Sequence, residues 1–264
     1  MPIDVSNKSD DYYRLFAFGD RHAPFQDRGH EDVLLDMLRD IQPDIVLEGG
    51  DMISADCLSK YPKEYTQLAG LQDELDQDFR WRTRINTIVP RAKKILLRDN
   101  HFYRRLTDRR RDNHWLHGLK SCDPYEMLRV HELGWEYVRS YKWRDVLLFV
   151  HGDDAYYNSS ANPVNRVRNI SKATGMSIIR FHSHTTGLEV FRTGSGAERF
   201  AIQLGCFQDL AKADYISHPE LANWTSSAGL FYLHKEDPVF LFVPIVFVGR
   251  RAVLNGKVYE SMPQ

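Results

Sequence analysis

The chain has 264 residues, of which 42% are hydrophobic and 27% charged, with a formal net charge of −1. This is the composition of an ordinary soluble globular protein, long enough for one large domain or two small ones, and no apolar stretch reaches the roughly 18–20 residues a membrane helix needs. Three widely spaced cysteines (Cys57, Cys122, Cys206) exclude a disulfide framework and a thiolate zinc ribbon, and the polar N-terminus carries no secretory signal, so cytoplasmic residence is expected.

Leu15 to Phe18 reads as a buried strand, short, apolar and aromatic, that stops at Gly19-Asp20-Arg21-His22. A carboxylate and an imidazole two residues apart on an extended segment point the same way and can reach one cation. Taken alone, such a pair is more often a turn-forming Asp beside an incidental His. Glu31 to Ile41 reads as an amphipathic helix, with Val33, Leu34, Met37, Leu38 and Ile41 on one side, broken by Pro43. A second strand from Ile45 runs into Glu48-Gly49-Gly50-Asp51. Strand, helix and strand with short loops predict parallel pairing and a right-handed crossover.

Lys63 to Val89 shows a long helical pattern with Gly70 as its weak point, expected to cover the sheet rather than to bind a partner. After Pro90 a third strand, from Lys94, leads into Arg98-Asp99-Asn100-His101. Arg104, Arg105, Arg109, Arg110 and Arg111 follow. Such a run is either a solvated helix face or, beside a metal site, a bidentate clamp for phosphate oxygens. Trp135 to Tyr141 reads as one edge strand leading to the Val146–Val150 strand, which ends in His151-Gly152-Asp153. Asn162 to Thr174 reads as a helix capped by Gly175, and the next apolar run, from Ser177 to Phe181, ends in His182-Ser183-His184. From Gly187 onward short β segments (188–192, 199–204, 230–234 and 239–248) predict antiparallel strands closing the fold. No repeat or linker interrupts the chain, so residues 1–264 are read as one α/β domain with insertions at about 60–90 and 102–135.

Five apolar runs therefore end in metal-capable side chains, at the strand ends where open α/β sheets place their chemistry. Asp20, His22, Asp51, Asn100, His151, His182 and His184 combine carboxylate, imidazole and one amide oxygen. That set suits Mn, Fe, Zn or a mixed pair. It is too rich in nitrogen for Ca or Mg. Seven side chains exceed the needs of one open catalytic ion and suit two ions sharing a carboxylate, at the roughly 3.5–4 Å spacing of two-metal hydrolases.

These blocks resemble, in type and order, the signature of the calcineurin-like metallophosphoesterase superfamily. They stand as Asp20-Arg21-His22, Gly50-Asp51, Asn100-His101, His151-Gly152 and His182-Ser183-His184, across residues 15–186. The tail, with Leu204-Gly205-Cys206 and Asn223-Trp224, is similar to that of phage-encoded members described as exonuclease-like. The resemblance implies a four-layer α-β-β-α sandwich of mixed sheets flanked by helices, with a dinuclear metal site at the strand C-terminal ends. It implies that Asp20, His22 and His184 hold one ion, that Asn100, His151 and His182 hold the other, and that Asp51 bridges them. His101 would sit over the phosphate, stabilising the transition state or protonating the leaving oxygen. Two divalent ions, manganese the first choice, would supply a bridging hydroxide for in-line attack on phosphorus.

Three departures stand out. Asp99 replaces the family's Gly before Asn-His, Phe102 replaces the acid that often orients the catalytic His, and Phe181 replaces the Gly before His182. The implied activity is a phosphodiesterase or nuclease acting on DNA or RNA, in the host cytoplasm if the gene is phage-borne. The weak overall charge speaks against duplex binding. The alternatives are a small-molecule phosphodiesterase, a phosphoprotein phosphatase (whose Asp-Arg-Gly is here Met52-Ile53-Ser54) and a catalytically silent metal-binding scaffold, supported only by Phe102. His30, His114, His117, His131, His218 and His234 are expected to be surface or packed residues. Asp153 and Asp154 are either turn residues or groups that orient a ligand histidine.

Overall fold

A computed structural model describes residues 11–60, 70–153, 162–212 and 223–261. The first strand, β1 (Tyr12–Phe18), alternates strictly: Phe16 and Phe18 face one side, Leu15 and Ala17 the other, and all four are buried. A strand buried on both faces needs a layer on each side. Helix α1 (Arg28–Ile41) supplies one, its N-terminus capped by Asp27, whose carboxylate accepts the Gly29 and His30 N–H groups. Strands β2 (Ile45–Glu48) and β3 (Lys93–Leu97) pair parallel beside β1, as the βαβ pattern requires. Between them α2 (Leu71–Ile88) lies against α1.

The long helix expected from Lys63 differs at its start. Gly70 has extended backbone angles and caps α2 from outside, so the helix does not pass through it, and residues 61–69 lie outside the described residues. Short helices α3 (Arg105–Asp112) and α4 (Pro124–Leu128) follow. The single edge strand expected over Trp135–Tyr141 is two strands. β4 (Glu136–Val138) pairs parallel with β3, whereas β5 (Ser140–Trp143) pairs antiparallel with β6 (Leu147–Val150) in a second sheet. Periodicity could not reveal this crossing, because both halves keep the alternation of an edge strand.

The second sheet continues through β7 (Ser177–Arg180), β8 (Gly187–Arg192) and β9 (Glu198–Gln203), with α5 (Pro163–Thr174) on its outer face. β10 (Ser226–His234) and β11 (Phe240–Val248) return to the first sheet, and β12 (Arg251–Leu254) and β13 (Lys257–Glu260) complete it. The result is an eight-stranded mixed sheet, ordered β13-β12-β11-β10-β1-β2-β3-β4, facing a five-stranded one, β5-β6-β7-β9-β8. Leu15, Leu47, Ile95, Leu97, Phe149, Ile179 and Ile202 fill the space between the sheets. Phe16, Phe18, Val46 and Leu96 pack outward with Leu34, Leu38, Trp81 and Ile85. Val167 and Ile170 cover the far side. The layers are helix, sheet, sheet, helix, as expected. No helix among the described residues is long and apolar enough to cross a membrane.

Candidate metal centre

The ends of β1, β2, β3, β6 and β7 converge at one edge of the sandwich, and the pairing of β1 with β2 carries on past their last residues. Asp20 N–H donates to the Gly50 carbonyl (3.0 Å) and His22 N–H to that of Asp51 (2.9 Å). Five of the seven candidate ligands, Asp20, His22, Asp51, His182 and His184, have φ between 51° and 75°. Non-glycine residues rarely adopt this left-handed region, and each such residue costs on the order of 1–3 kcal/mol. The hydrogen bonds around them sustain it.

Asp51 is the centre. Its Oδ2 lies 3.2 Å from His151 Nε2, 3.7 Å from His22 Nε2, and 4.0 Å from both His101 Nε2 and His182 Nδ1. Two compact groups of candidate ligand atoms share this residue: Asp20, His22, Asp51 and His184 in one, Asp51, His151 and His182 in the other. Asn100 Oδ1 joins the second, 2.9 Å from His151 Nε2. All seven residues named from the sequence are thus brought together.

The side chains fit cations on several counts. His22 Nε2 and His184 Nε2 face each other at 3.0 Å, and two nitrogens each about 2.0–2.1 Å from one ion stand roughly 3 Å apart. Asp20 Oδ1 and His182 Nδ1 are buried and have no hydrogen-bond partner among the described residues. Unpaired buried polar atoms are costly, and a cation would satisfy them. Burial also holds the rings of His22, His182 and His184 (the last down to about 3) below the ordinary histidine range, so they stand neutral and able to ligate. Burial and the neighbouring Asp51 raise the Asp20 carboxyl, the opposing pull of His151 notwithstanding. For Asp51 burial works upward too. The charges of His151 and His101 outweigh it and keep the group ionised.

His151 behaves differently. Its Nδ1–H donates to the Gly49 carbonyl (2.8 Å), which turns Nε2 toward Asp51 and Asn100. Burial pushes this ring down, but the charge and hydrogen bond of Asp51 prevail and lift it to about 10. Cation binding at this nitrogen must therefore expel a proton. Titrating metal-stripped protein with Mn at pH 8 is expected to release about one proton per chain. The weaker site should tighten as pH rises toward 10. Calorimetry in buffers of different ionisation enthalpy measures both, and an affinity indifferent to pH would contradict the assignment.

The departures from the motif have local reasons. His101, on a wide helical turn over Asn100–Arg104, has its Nδ1 2.9 Å from the Ser54 carbonyl, so a backbone oxygen supplies the orientation an acid would give. Its side chain is 18% exposed whereas His22 is 1% exposed, which places it on the open side of the cluster. Phe102 is core. Phe181 lays its ring where Gly19 and Gly49 leave room: a Cβ on Gly49 would sit 2.3 Å from that ring.

Asp99 caps the wide turn by accepting the Phe102 and Tyr103 N–H groups, and its other oxygen accepts Asp51 N–H at 3.0 Å. Burial and Asp51 raise its carboxyl to about 7. Asp99→Ala removes a cap and strands buried N–H groups, and should cost about 2–4 kcal/mol of stability, read by denaturant unfolding. A loss below about 0.5 kcal/mol would deny Asp99 this role.

Other supports were not read from the sequence. Arg21, between two ligands, is buried and paired with Glu31 (2.9 Å) and Asp78 (3.3 Å), and it anchors the β1 loop to α1 and α2. Arg180, also buried, donates to the Gly152 carbonyl at 2.6 and 3.2 Å and holds the turn after His151. The Trp224 ring meets the His184 ring edge-on at 4.1 Å. A charged residue set between two ligands was the available signal for Arg21, and the resemblance of the tail that for Trp224.

The arginine run is mostly internal scaffolding rather than a ready phosphate clamp. Arg105 donates to the Ser54 carbonyl (2.7 Å), Arg109 to that of Ser59 (2.7 Å), Arg110 pairs with Asp123 and Arg111 with Asp108. Asp153 pairs with Arg104 (2.5 Å) rather than orienting a ligand, and Asp154 lies outside the described residues. Of the remaining histidines, His30 packs on Phe207 and Phe247, His131 stacks on Tyr125 and His234 caps the β10–β11 turn, while His114 and His117 line a separate surface cavity with Thr107, Arg110 and Arg111. His218 lies outside the described residues.

No known protein family's profile matches the chain. Two curated proteins are similar along its length: the Gene 54 proteins of Mycobacterium phage L5 (22% identical) and Mycobacterium phage D29 (23% identical), each over 94% of this chain and 98% of its own. Among solved structures, Vacuolar Protein Sorting 29 of Cryptosporidium parvum aligns with a TM-score of 0.47 and 12% identity, over 94% of this chain and 95% of its own. The zinc-complexed Vps29 of Entamoeba histolytica aligns at 0.45 and 15%, over 93% and 95%. TT1561 of Thermus thermophilus aligns at 0.42 and 8%, over 88% and 98%.

Proposed function

We propose that this chain is a two-metal phosphodiesterase of the calcineurin-like metallophosphoesterase type, acting on nucleic acid. One observation carries the reading: a single carboxylate, Asp51, belongs to both ligand groups, and its Oδ2 stands within 4.0 Å of four imidazoles. A structural metal site needs no shared carboxylate and no partly open histidine beside it. Asp20, His22, Asp51 and His184 would hold one ion, Asp51, Asn100, His151 and His182 the other, with manganese the favoured metal. Bound there, the cations would act as Lewis acids on a phosphoryl oxygen and make water a competent nucleophile near neutral pH.

The chain's own residues supply the rest. The Gly49 carbonyl fixes the face His151 presents, and Asp99 fixes the Asp51 backbone. His101, fixed by Ser54 and open to solvent, points Nε2 toward Asp51 and is placed to meet a phosphate or its leaving oxygen. The phage origin of the curated relatives supports a phage-type enzyme. A silent scaffold is less well supported, because all seven ligand positions are present and His101 keeps an orienting partner.

The test is hydrolysis of bis-p-nitrophenyl phosphate against p-nitrophenyl phosphate with added Mn, with single- and double-stranded DNA alongside. Preference for the diester together with DNA cleavage is expected. Preference for the monoester would make the protein a phosphatase, and no hydrolysis at all with two ions bound would make it a scaffold.

A further inference from the structure

Beside the second ligand group lies a cavity of about 330 Å³ that no step above uses. His151 and Gly152 line it together with Arg98, Arg104, Arg139 and Ser140, and two acids, Asp99 and Asp153, are also in its wall. Its size is at the lower end of small-ligand sites and admits a nucleotide-sized fragment. Three guanidinium groups meet there. Arg104 pairs with Asp153, but no carboxylate among the described residues pairs with Arg98. Arg98 instead donates to the hydroxyls of Tyr103 (3.2 Å) and Tyr125, and its guanidinium lies 4.7, 5.5 and 6.0 Å from the rings of Tyr103, Tyr125 and Tyr137. Three phenol rings thus hold one cation in place without neutralising it. A fixed, uncompensated guanidinium on a cavity wall is arranged for an oxyanion, because little side-chain freedom remains to be lost on binding. Arg139, exposed, and Ser140 line the same cavity.

We propose that this cavity is the subsite for a second phosphate of the substrate: with one phosphodiester at the paired ligand groups, the neighbouring backbone phosphate of the same strand seats against Arg98 and Arg139. The proposal rests on the phosphodiesterase reading and narrows it. A strand carries such a phosphate; a cyclic nucleotide or a phosphoprotein does not. The site also gives a chain of net charge −1 a local place for a polyanion, since three arginines stand there against two acids.

Two esters test it: the p-nitrophenyl ester of thymidine 5′-phosphate with and without a 3′-phosphate. The added phosphate is expected to lower KM by about tenfold, the scale of one charge-assisted contact, and Arg139→Ala or Arg98→Met should each bring the ratio of the two KM values toward one. Equal KM values in the unmodified protein would overturn the subsite and leave the phosphodiesterase reading standing. Turnover of neither ester would count against that reading instead, and binding then decides the subsite alone. Metal-free protein titrated with thymidine 3′,5′-bisphosphate should bind about tenfold more weakly after either substitution, and unchanged binding in both would overturn the proposal. Arg139 is exposed, so its variant keeps the test valid if Arg98→Met fails to fold.

Discussion

Asp51→Ala is expected to lower phosphodiester turnover by roughly 10³-fold or more and to strip the protein of both ions. The size follows from position. Asp51 is the residue common to the two ligand groups, and the nearest histidine nitrogen is 3.2 Å from its Oδ2. Alanine leaves His22, His151 and His182 facing one another around a void, with no carboxylate at the second place and only Asp20 at the first. Asp51→Asn keeps the shape but not the charge, so it should lose metal as well, to a lesser degree. Metal analysis beside the rate measurement separates the effects. Turnover equal to the unmodified protein at equal metal content would remove Asp51 from the centre of the account.

His101→Ala should cost about 10²–10⁴-fold in turnover while the metal content stays unchanged. The Ser54 carbonyl can only accept, so it fixes the ring proton on Nδ1 and leaves Nε2 as the working atom. In the neutral ring Nε2 has no proton to give. Only the imidazolium can protonate a leaving oxygen from there, and burial, with help from Arg105, lowers the ring's pKa below its ordinary 6.5, the pull of Asp51 notwithstanding. The acid form is then a minority at neutral pH and a strong donor. The sign follows: an alkyl ester, whose leaving group needs the proton, should lose rate relative to a p-nitrophenyl ester as pH rises from about 5 to 7. The same contrast should mark the variant, with the alkyl ester losing far more than the p-nitrophenyl ester. Equal losses on both esters would make His101 a phosphate-binding residue rather than an acid.

Much of this was legible in the chain because strand ends announce themselves. Each apolar run stops where the backbone turns out of the sheet, and Asp20, Asp51, Asn100, His151 and His182 all stand within three residues of such an end. The alternation at Leu15–Phe18 likewise requires a layer on each side. What stayed hidden depends on contacts distant in sequence. The left-handed backbone at Asp20, His22 and His184 has no sequence mark, since none of these residues is a glycine. Ser54 and Gly49 orient His101 and His151 through carbonyls that any residue possesses. The exchange of bulk between Phe181 and Gly49 joins positions 132 residues apart (181 minus 49). One miss was avoidable: Asn255-Gly256, both with positive φ, is the strongest short signal of a tight hairpin, and it joins β12 to β13. The split of Trp135–Tyr141 between two sheets was not avoidable, because nothing in Arg139 marks a crossing.

The measurement closest to the central claim is the turnover of bis-p-nitrophenyl phosphate by metal-stripped protein during a stepwise Mn titration, with bound metal counted at each step. The shared-carboxylate site predicts activity that rises only as the second equivalent binds and levels off at two ions per chain. Full activity at one ion, or two tightly bound ions with no turnover, would contradict it.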